Sequence, residues 1–134
     1  MKKTILVVDD DKRIVIALTV RLKAKGYDVV AAYDAAMAMS IAMQHRPDLA
    51  LLDISMPGGN GFMVAKRLQN EVSTAGVPLI FLTASKQPGL RETAWDLGAV
   101  GFFEKPYEAE DFLAAIDGAL GEPVAQGQRM WELS

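Results

Sequence analysis

Four short apolar runs in this chain stop abruptly at polar or charged residues, and no other feature constrains the fold as tightly. Ile5-Leu6-Val7-Val8 runs into Asp9-Asp10-Asp11, and Leu49-Ala50-Leu51-Leu52 runs into Asp53. Leu79-Ile80-Phe81-Leu82 runs into Thr83, and Val100-Gly101-Phe102-Phe103-Glu104 into Lys105-Pro106. A short apolar run closed by turn-forming residues reads as a strand covered on both faces. Asp53 is followed by Ile54-Ser55-Met56-Pro57-Gly58-Gly59-Asn60-Gly61, a loop that cannot stay regular. A carboxylate at the end of such a strand costs desolvation energy unless something compensates its charge.

Helical patterns separate the runs. Strand one, about Thr4–Val8, precedes a helix over about Lys12–Lys25, on which Ile14, Leu18 and Leu22 recur at a spacing of four and Gly26 is the stop. Asp11 is suited to cap that helix. Strand two, about Asp28–Ala32, leads to Asp34, a cap for an Ala/Met-rich helix over about Ala35–Gln44. Met37, Met39 and Met43 on it read as packing residues, and His45, the only histidine, as a surface residue. Strand three is Leu49–Leu52. The helix after Asn60-Gly61 turns Phe62, Ala65, Leu68 and Val72 inward. Strand four is about Leu79–Leu82, after which Pro88 opens helix four and Gly98 closes it. Strand five is about Gly101–Glu104, with Phe103 expected in the core. Helix five, about Glu108–Leu120, carries Phe112, Ala115, Ile116, Ala119 and Leu120 on one stripe.

Five repeats of strand then helix call for an α/β fold, a doubly wound parallel five-stranded sheet with helices on both faces and right-handed crossovers. At 134 residues, 51% of them hydrophobic, the chain is long enough for one sizeable core. A net charge of −3 without a basic block argues against nucleic-acid binding by this domain. There is no cysteine, so disulfides and thiolate metal sites are excluded. The apolar stretch after Met1-Lys2-Lys3-Thr4 is too short for a signal peptide or membrane span, and a cytoplasmic domain is expected. Residues 1–121 form the domain, and residues 122–134 read as a C-terminal tail or linker stub.

In an open α/β sheet, chemistry sits outside the carboxyl ends of the strands. The ends here supply an acid cluster, a lone acid, a hydroxyl and a lysine. A carboxylate can attack phosphorus and hold a phosphoryl group as an acyl phosphate. Phosphoryl transfer asks the protein mainly to position groups and neutralise charge, and magnesium prefers a few carboxylates and water. Asp9, Asp10 and Asp53, brought together without a cation, would repel one another.

On Val8-Asp9-Asp10, Leu52-Asp53-Ile54-Ser55-Met56-Pro57-Gly58, Leu82-Thr83-Ala84 and Phe102-Phe103-Glu104-Lys105-Pro106, the chain resembles a response-regulator receiver domain of two-component signalling. The ordered set of four motifs, each at a strand end, is far more specific than any one of them. The resemblance covers about residues 4–120 and implies the CheY-like, flavodoxin-like (βα)5 fold. It implies that Asp53 is the phospho-acceptor, taking its phosphoryl group from the phospho-histidine of a histidine kinase or phosphotransfer protein. It further implies Mg2+ held by Asp9, Asp10, Asp53 and the backbone carbonyl of Ser55. Lys105 and Thr83 would each contact a phosphoryl oxygen, and Thr83 with Phe102 would form the switch. Phe102 stands where the family often has Tyr, so a hydrogen-bonded version of that switch is not available to it. Ser55 and Ser85 stand at positions that in the family influence how fast the phosphoryl group is lost.

The implied role is signalling, with catalysis confined to the domain's own phosphorylation and dephosphorylation. The implied output is a re-posed surface of helix four, strand five and helix five, read by a partner, an output domain or a second receiver in a homodimer. Two rival readings fit the residues less well. An Asp-nucleophile phosphatase of the haloacid dehalogenase type wants a second Asp two residues after the first, where this chain has Ser55. A phosphorylation-independent adaptor has no need to assemble repelling acids beside Thr83 and Lys105.

Overall fold

The structure, a computed structural model, describes residues 2–56 and 60–121. The expected Pro57-Gly58-Gly59 turn and the tail over residues 122–134 lie outside the described residues. Strands and helices alternate as β1 (Thr4–Val8), α1 (Lys12–Ala24), β2 (Asp28–Ala32), α2 (Ala35–His45), β3 (Leu49–Asp53), α3 (Gly61–Asn70), β4 (Leu79–Thr83), α4 (Leu90–Asp96), β5 (Gly101–Glu104) and α5 (Ala109–Ala119). Three helices start on side chains suited to the task. Asp11, Asp34 and Asn60 accept from the backbone N–H of Arg13, Met37 and Met63 at 2.9, 2.7 and 3.0 Å, each satisfying a donor that a helix start leaves unpaired.

All five strands are parallel, in the order β2-β1-β3-β4-β5. This is the order of flavodoxin-like doubly wound sheets. Strand alternation divides the core in two. Leu6, Val8, Ala50, Leu52, Leu79, Phe81 and Phe102 face α2, α3 and α4. Ile5, Val7, Leu49, Leu51, Ile80 and Leu82 face α1 and α5, where they meet Val15, Leu18, Leu22, Phe112 and Ile116. Each fully buried Leu or Ile contributes about 1.5–3 kcal/mol of transfer free energy. Away from the strand carboxyl ends, Asp117 of α5 accepts from the Tyr27 hydroxyl and from Lys25 Nζ (3.0 Å), which ties α5 to the end of α1.

Several expectations are corrected. The inward stripe of α1 is Val15, Leu18 and Leu22, with Ile14 only partly buried. Ile14, Val15 and Ile16 are all apolar, so hydropathy alone cannot phase that turn. Val72 is not inward: α3 ends at Asn70, Glu71 is extended, and Val72 is 98% exposed. Helix α4 is opened by Gly89 in a left-handed conformation, not by Pro88. Only Met39 of the three named α2 methionines packs against the core, while Met37 and Met43 are exposed. Phe102 is the more buried of its pair, and Phe103 is only partly buried. His45 is exposed, as expected. Among the described residues, no helix is long and apolar enough to cross a membrane.

Candidate functional site

The chain leaves β1 in one direction, to β2, and reaches β3 on the other side, so a crevice opens between the ends of β1 and β3. Asp9 follows β1 directly, and its N–H donates to Ala32 O at 3.1 Å. Asp53 is the last residue of β3 and Thr83 the last of β4. Lys105 follows β5, and its N–H donates to Thr83 O at 2.7 Å, which fixes the root of its side chain. Parallel pairing therefore converts residues far apart in sequence into one cluster.

Asp9 and Asp53 are 2% and 5% exposed, whereas Asp10 is exposed. Carboxylate oxygens of all three lie within 4.8 Å of one another. Lys105 Nζ is 3.1 Å from Asp9 Oδ2 and 4.0 Å from Asp53 Oδ2. Asp9 Oδ1 accepts from the Asp11 N–H at 2.9 Å, and Asp53 Oδ1 from the Ser55 N–H at 3.1 Å. Burial pushes the Asp53 carboxyl up to about 6; the Ser55 N–H opposes the rise, the Asp9 charge adds to it, and Lys105 opposes it.

Thr83 is fully buried, and its Oγ1 accepts from the Ser85 N–H at 2.9 Å and lies 3.4 Å from Ser55 Oγ. Phe102 is 7% exposed, and the Arg91 guanidinium stands 4.7 Å from its ring centroid. The structure thus brings Asp9, Asp10, Asp53, Ser55, Thr83 and Lys105 to one end of the sheet, with Phe102 on the neighbouring strand.

Sequence reasoning missed Gly61. A Cβ at that position would lie 2.6 Å from Asp53 O and 3.0 Å from Asp53 C, so only glycine lets α3 start this close to the acid. The available signal was a glycine at the first helical position, where a better helix former is ordinarily found.

Three clustered carboxylates offer only hard oxygen donors, which fits magnesium and excludes a soft-metal site. Nearby, the Lys105 ammonium supplies the one cation that contacts both Asp9 and Asp53 among the described residues. An acid pocket of this kind, at the switch point of a parallel sheet, is suited to magnesium-dependent phosphoryl chemistry. The response regulator receiver domain family matches residues 5–117, and the chain belongs to that family.

The chain is 36% identical over 116 residues to the DNA-binding dual master transcriptional regulator RpaA of Synechocystis, a match covering 87% of this chain and 48% of that protein. It spans about half the length of the curated relatives it matches. Among solved structures it is similar to the chemotaxis protein CheY4 of Vibrio cholerae, at 28% identity and a TM-score of 0.83, covering 90% of this chain and all of that one. It is also similar to the response regulator TrrA of Thermotoga maritima in complex with Mg(2+)-BeF, at 28% identity and a TM-score of 0.77, covering 88% and 99% of the two chains. Receiver domains bind Mg2+ at such an acidic pocket.

Proposed function

We propose that Asp53 accepts a phosphoryl group from the phospho-histidine of a histidine kinase or phosphotransfer protein. The observation that carries this reading is a buried strand-end carboxylate, clustered with Asp9 and Asp10 and 4.0 Å from Lys105 Nζ. An Asp53 oxygen attacks phosphorus, the P–N bond breaks, and the imidazole leaves, so an acyl phosphate replaces the phosphoramidate. A carboxyl with its pKa near 6 is still mostly ionised at neutral pH, and burial leaves its anion poorly solvated.

Asp9, Asp10, Asp53 and the Ser55 backbone carbonyl would hold Mg2+. When bound, the ion offsets the charge of the carboxylates and phosphoryl oxygens. Lys105 moves from Asp9 to a phosphoryl oxygen. Thr83 Oγ1 accepts from the Ser85 N–H and lies 3.4 Å from Ser55 Oγ, and its hydrogen turns to another phosphoryl oxygen. Hydrogen bonds to charged groups contribute about 1.5–3 kcal/mol apiece; the Lys105 contact replaces the one it already makes to Asp9, so the net gain is the Thr83 contact. Reversing an equilibrium from 1:99 to 99:1 takes about 5.5 kcal/mol, so that contact supplies part of what a switch requires.

Drawing Thr83 inward frees space for Phe102 and re-poses the surface of α4, β5 and α5. A partner, an output domain or a second receiver copy reads that surface. The half-length match to a named DNA-binding regulator supports an output domain elsewhere in a longer protein, and no part of DNA recognition is assigned to the receiver. The setting is the cytoplasm, and the domain's catalysis extends only to its own phosphorylation and dephosphorylation. The test is intact mass after incubation with acetyl phosphate and magnesium. Wild type gains one phosphoryl group, and Asp53→Asn gains none; equal modification of both proteins refutes the assignment.

A further inference from the structure

The guanidinium of Arg91, on α4, faces the Phe102 ring of β5 at 4.7 Å from its centroid. Arg91 is exposed and the ring is 7% exposed, so the arginine is the ring's outer cover. An arginine beside Glu104 would ordinarily be expected on its carboxylate. That carboxylate instead accepts from Lys86 Nζ at 2.9 Å, through Oε2. Lys86 first, and the more distant Arg91 charge to a lesser degree, hold the Glu104 carboxyl below its usual range. The guanidinium lies over the ring instead.

Phe102 has no hydroxyl by which a neighbour could hold it. The electron-rich face of the ring is its only polar handle, and a cation above that face is its natural partner. Packing does not lock the ring on every side. Phe102, Arg91, Glu104 and Lys86 border a cavity of about 230 Å3, together with Ser85 and Gly89 of the β4–α4 loop.

We propose that Arg91 is a positioning residue of the switch, holding the Phe102 ring buried through a cation–π contact and so favouring the arrangement in which Thr83 is drawn toward Asp53. This rests on the reading of Phe102 as the switching aromatic. It goes beyond that reading by naming the side chain that sets the resting balance. A cation–π contact at a partly exposed site shifts an equilibrium by about 2- to 5-fold, so Arg91 adjusts the switch without locking it.

The test uses the full chain with isotope-labelled phenylalanine rings, as wild type, Arg91→Met and Arg91→Lys. Methionine keeps an apolar stem over the ring without charge, and lysine keeps the charge. Ring resonances are recorded alone and with magnesium and beryllofluoride, and initial phosphorylation rates are measured with phosphoramidate. In wild type, the Phe102 signals move toward a limiting position when beryllofluoride is added. Unliganded Arg91→Met starts farther from that limit, with a buried-to-exposed ring ratio lower by about 2- to 5-fold and a lower phosphorylation rate. Arg91→Lys recovers both. A normal wild-type response with Arg91→Met superimposed on wild type in both readouts overturns the role of Arg91 and leaves the switch intact. Arg91→Lys matching Arg91→Met overturns the charge-based account. A Phe102 signal unmoved by beryllofluoride in wild type overturns the switch reading itself, and this inference with it.

Discussion

Lys105 is paired with Asp9, at 3.1 Å, and stands 4.0 Å from the nearer oxygen of Asp53. The lysine therefore neutralises buried Asp9 and stands beside the proposed phospho-acceptor. Removing it leaves Asp9, 2% exposed, without its cation.

Breaking a buried ion pair from one side costs about 3–5 kcal/mol, because the remaining charge stays buried. Lys105→Met is expected to lower metal-free stability by that order in urea unfolding. In an Asp9→Asn background the same substitution is expected to cost much less, since the stranded charge is gone. Equal costs in the two backgrounds would show that the pair carries no coupling.

The Asp53 carboxyl sits at about 6 instead of 3.8, chiefly through burial. Its folded pKa is raised, so the folded state binds the proton more tightly than the unfolded chain. The ionised group therefore costs stability above pH 6, up to about 3 kcal/mol, and the cost fades as pH falls from about 6 toward 4. Without divalent ions, Asp53→Asn is expected to be more stable than wild type at pH 7.5, with the gap closing by about pH 4. Urea midpoints across this range decide it, and a gap independent of pH contradicts the cause assigned here.

Magnesium that binds only the folded chain stabilises it by mass action, by about 2.7 kcal/mol at a hundredfold excess over Kd. Asp9→Asn and Asp10→Asn are each expected to lose most of that gain. Metal-free Asp10→Asn, relieved of repulsion among three clustered acids, is expected to equal or exceed wild type. Unchanged magnesium titrations in both variants would place the ion elsewhere.

Gly61→Ala sets a helix-propensity gain of about 1 kcal/mol against a Cβ placed 2.6 Å from backbone Asp53 O. Overpacking against backbone costs about 1–3 kcal/mol, so the expected balance is a net loss. Phosphorylation is expected to slow as well, because the atoms that must shift belong to Asp53. An alanine variant as stable and as reactive as wild type would show that α3 can retreat freely.

The features legible in the sequence are those set by local chemistry. Asp11 and Asp34 were readable as caps because a cap bonds within three residues. The strand ends were readable because each apolar run stops at a polar residue, and the parallel order then gathers those ends. What stayed hidden depends on tertiary approach. Lys105 and Asp9 are 96 residues apart, and nothing local announces that the lysine rests on Asp9. The close passage of Gly61 past Asp53 is equally non-local. At the sheet edge, the sequence Phe102-Phe103 offers two like residues facing opposite layers, and only the packing of each layer on β5 decides which is more buried. Val72 was misplaced because apolar periodicity continues past the point where the backbone of α3 turns extended at Glu71.

If the phosphoryl group resides on Asp53 as an acyl phosphate, chemical trapping locates it there. Borohydride reduces an acyl phosphate to the alcohol, converting a phosphorylated aspartate into homoserine. Protein treated with acetyl phosphate and magnesium, then reduced, digested and sequenced by mass spectrometry, is expected to carry homoserine at position 53. Homoserine at position 9 or 10, or a phosphorylated chain with aspartate intact at 53, would contradict the account.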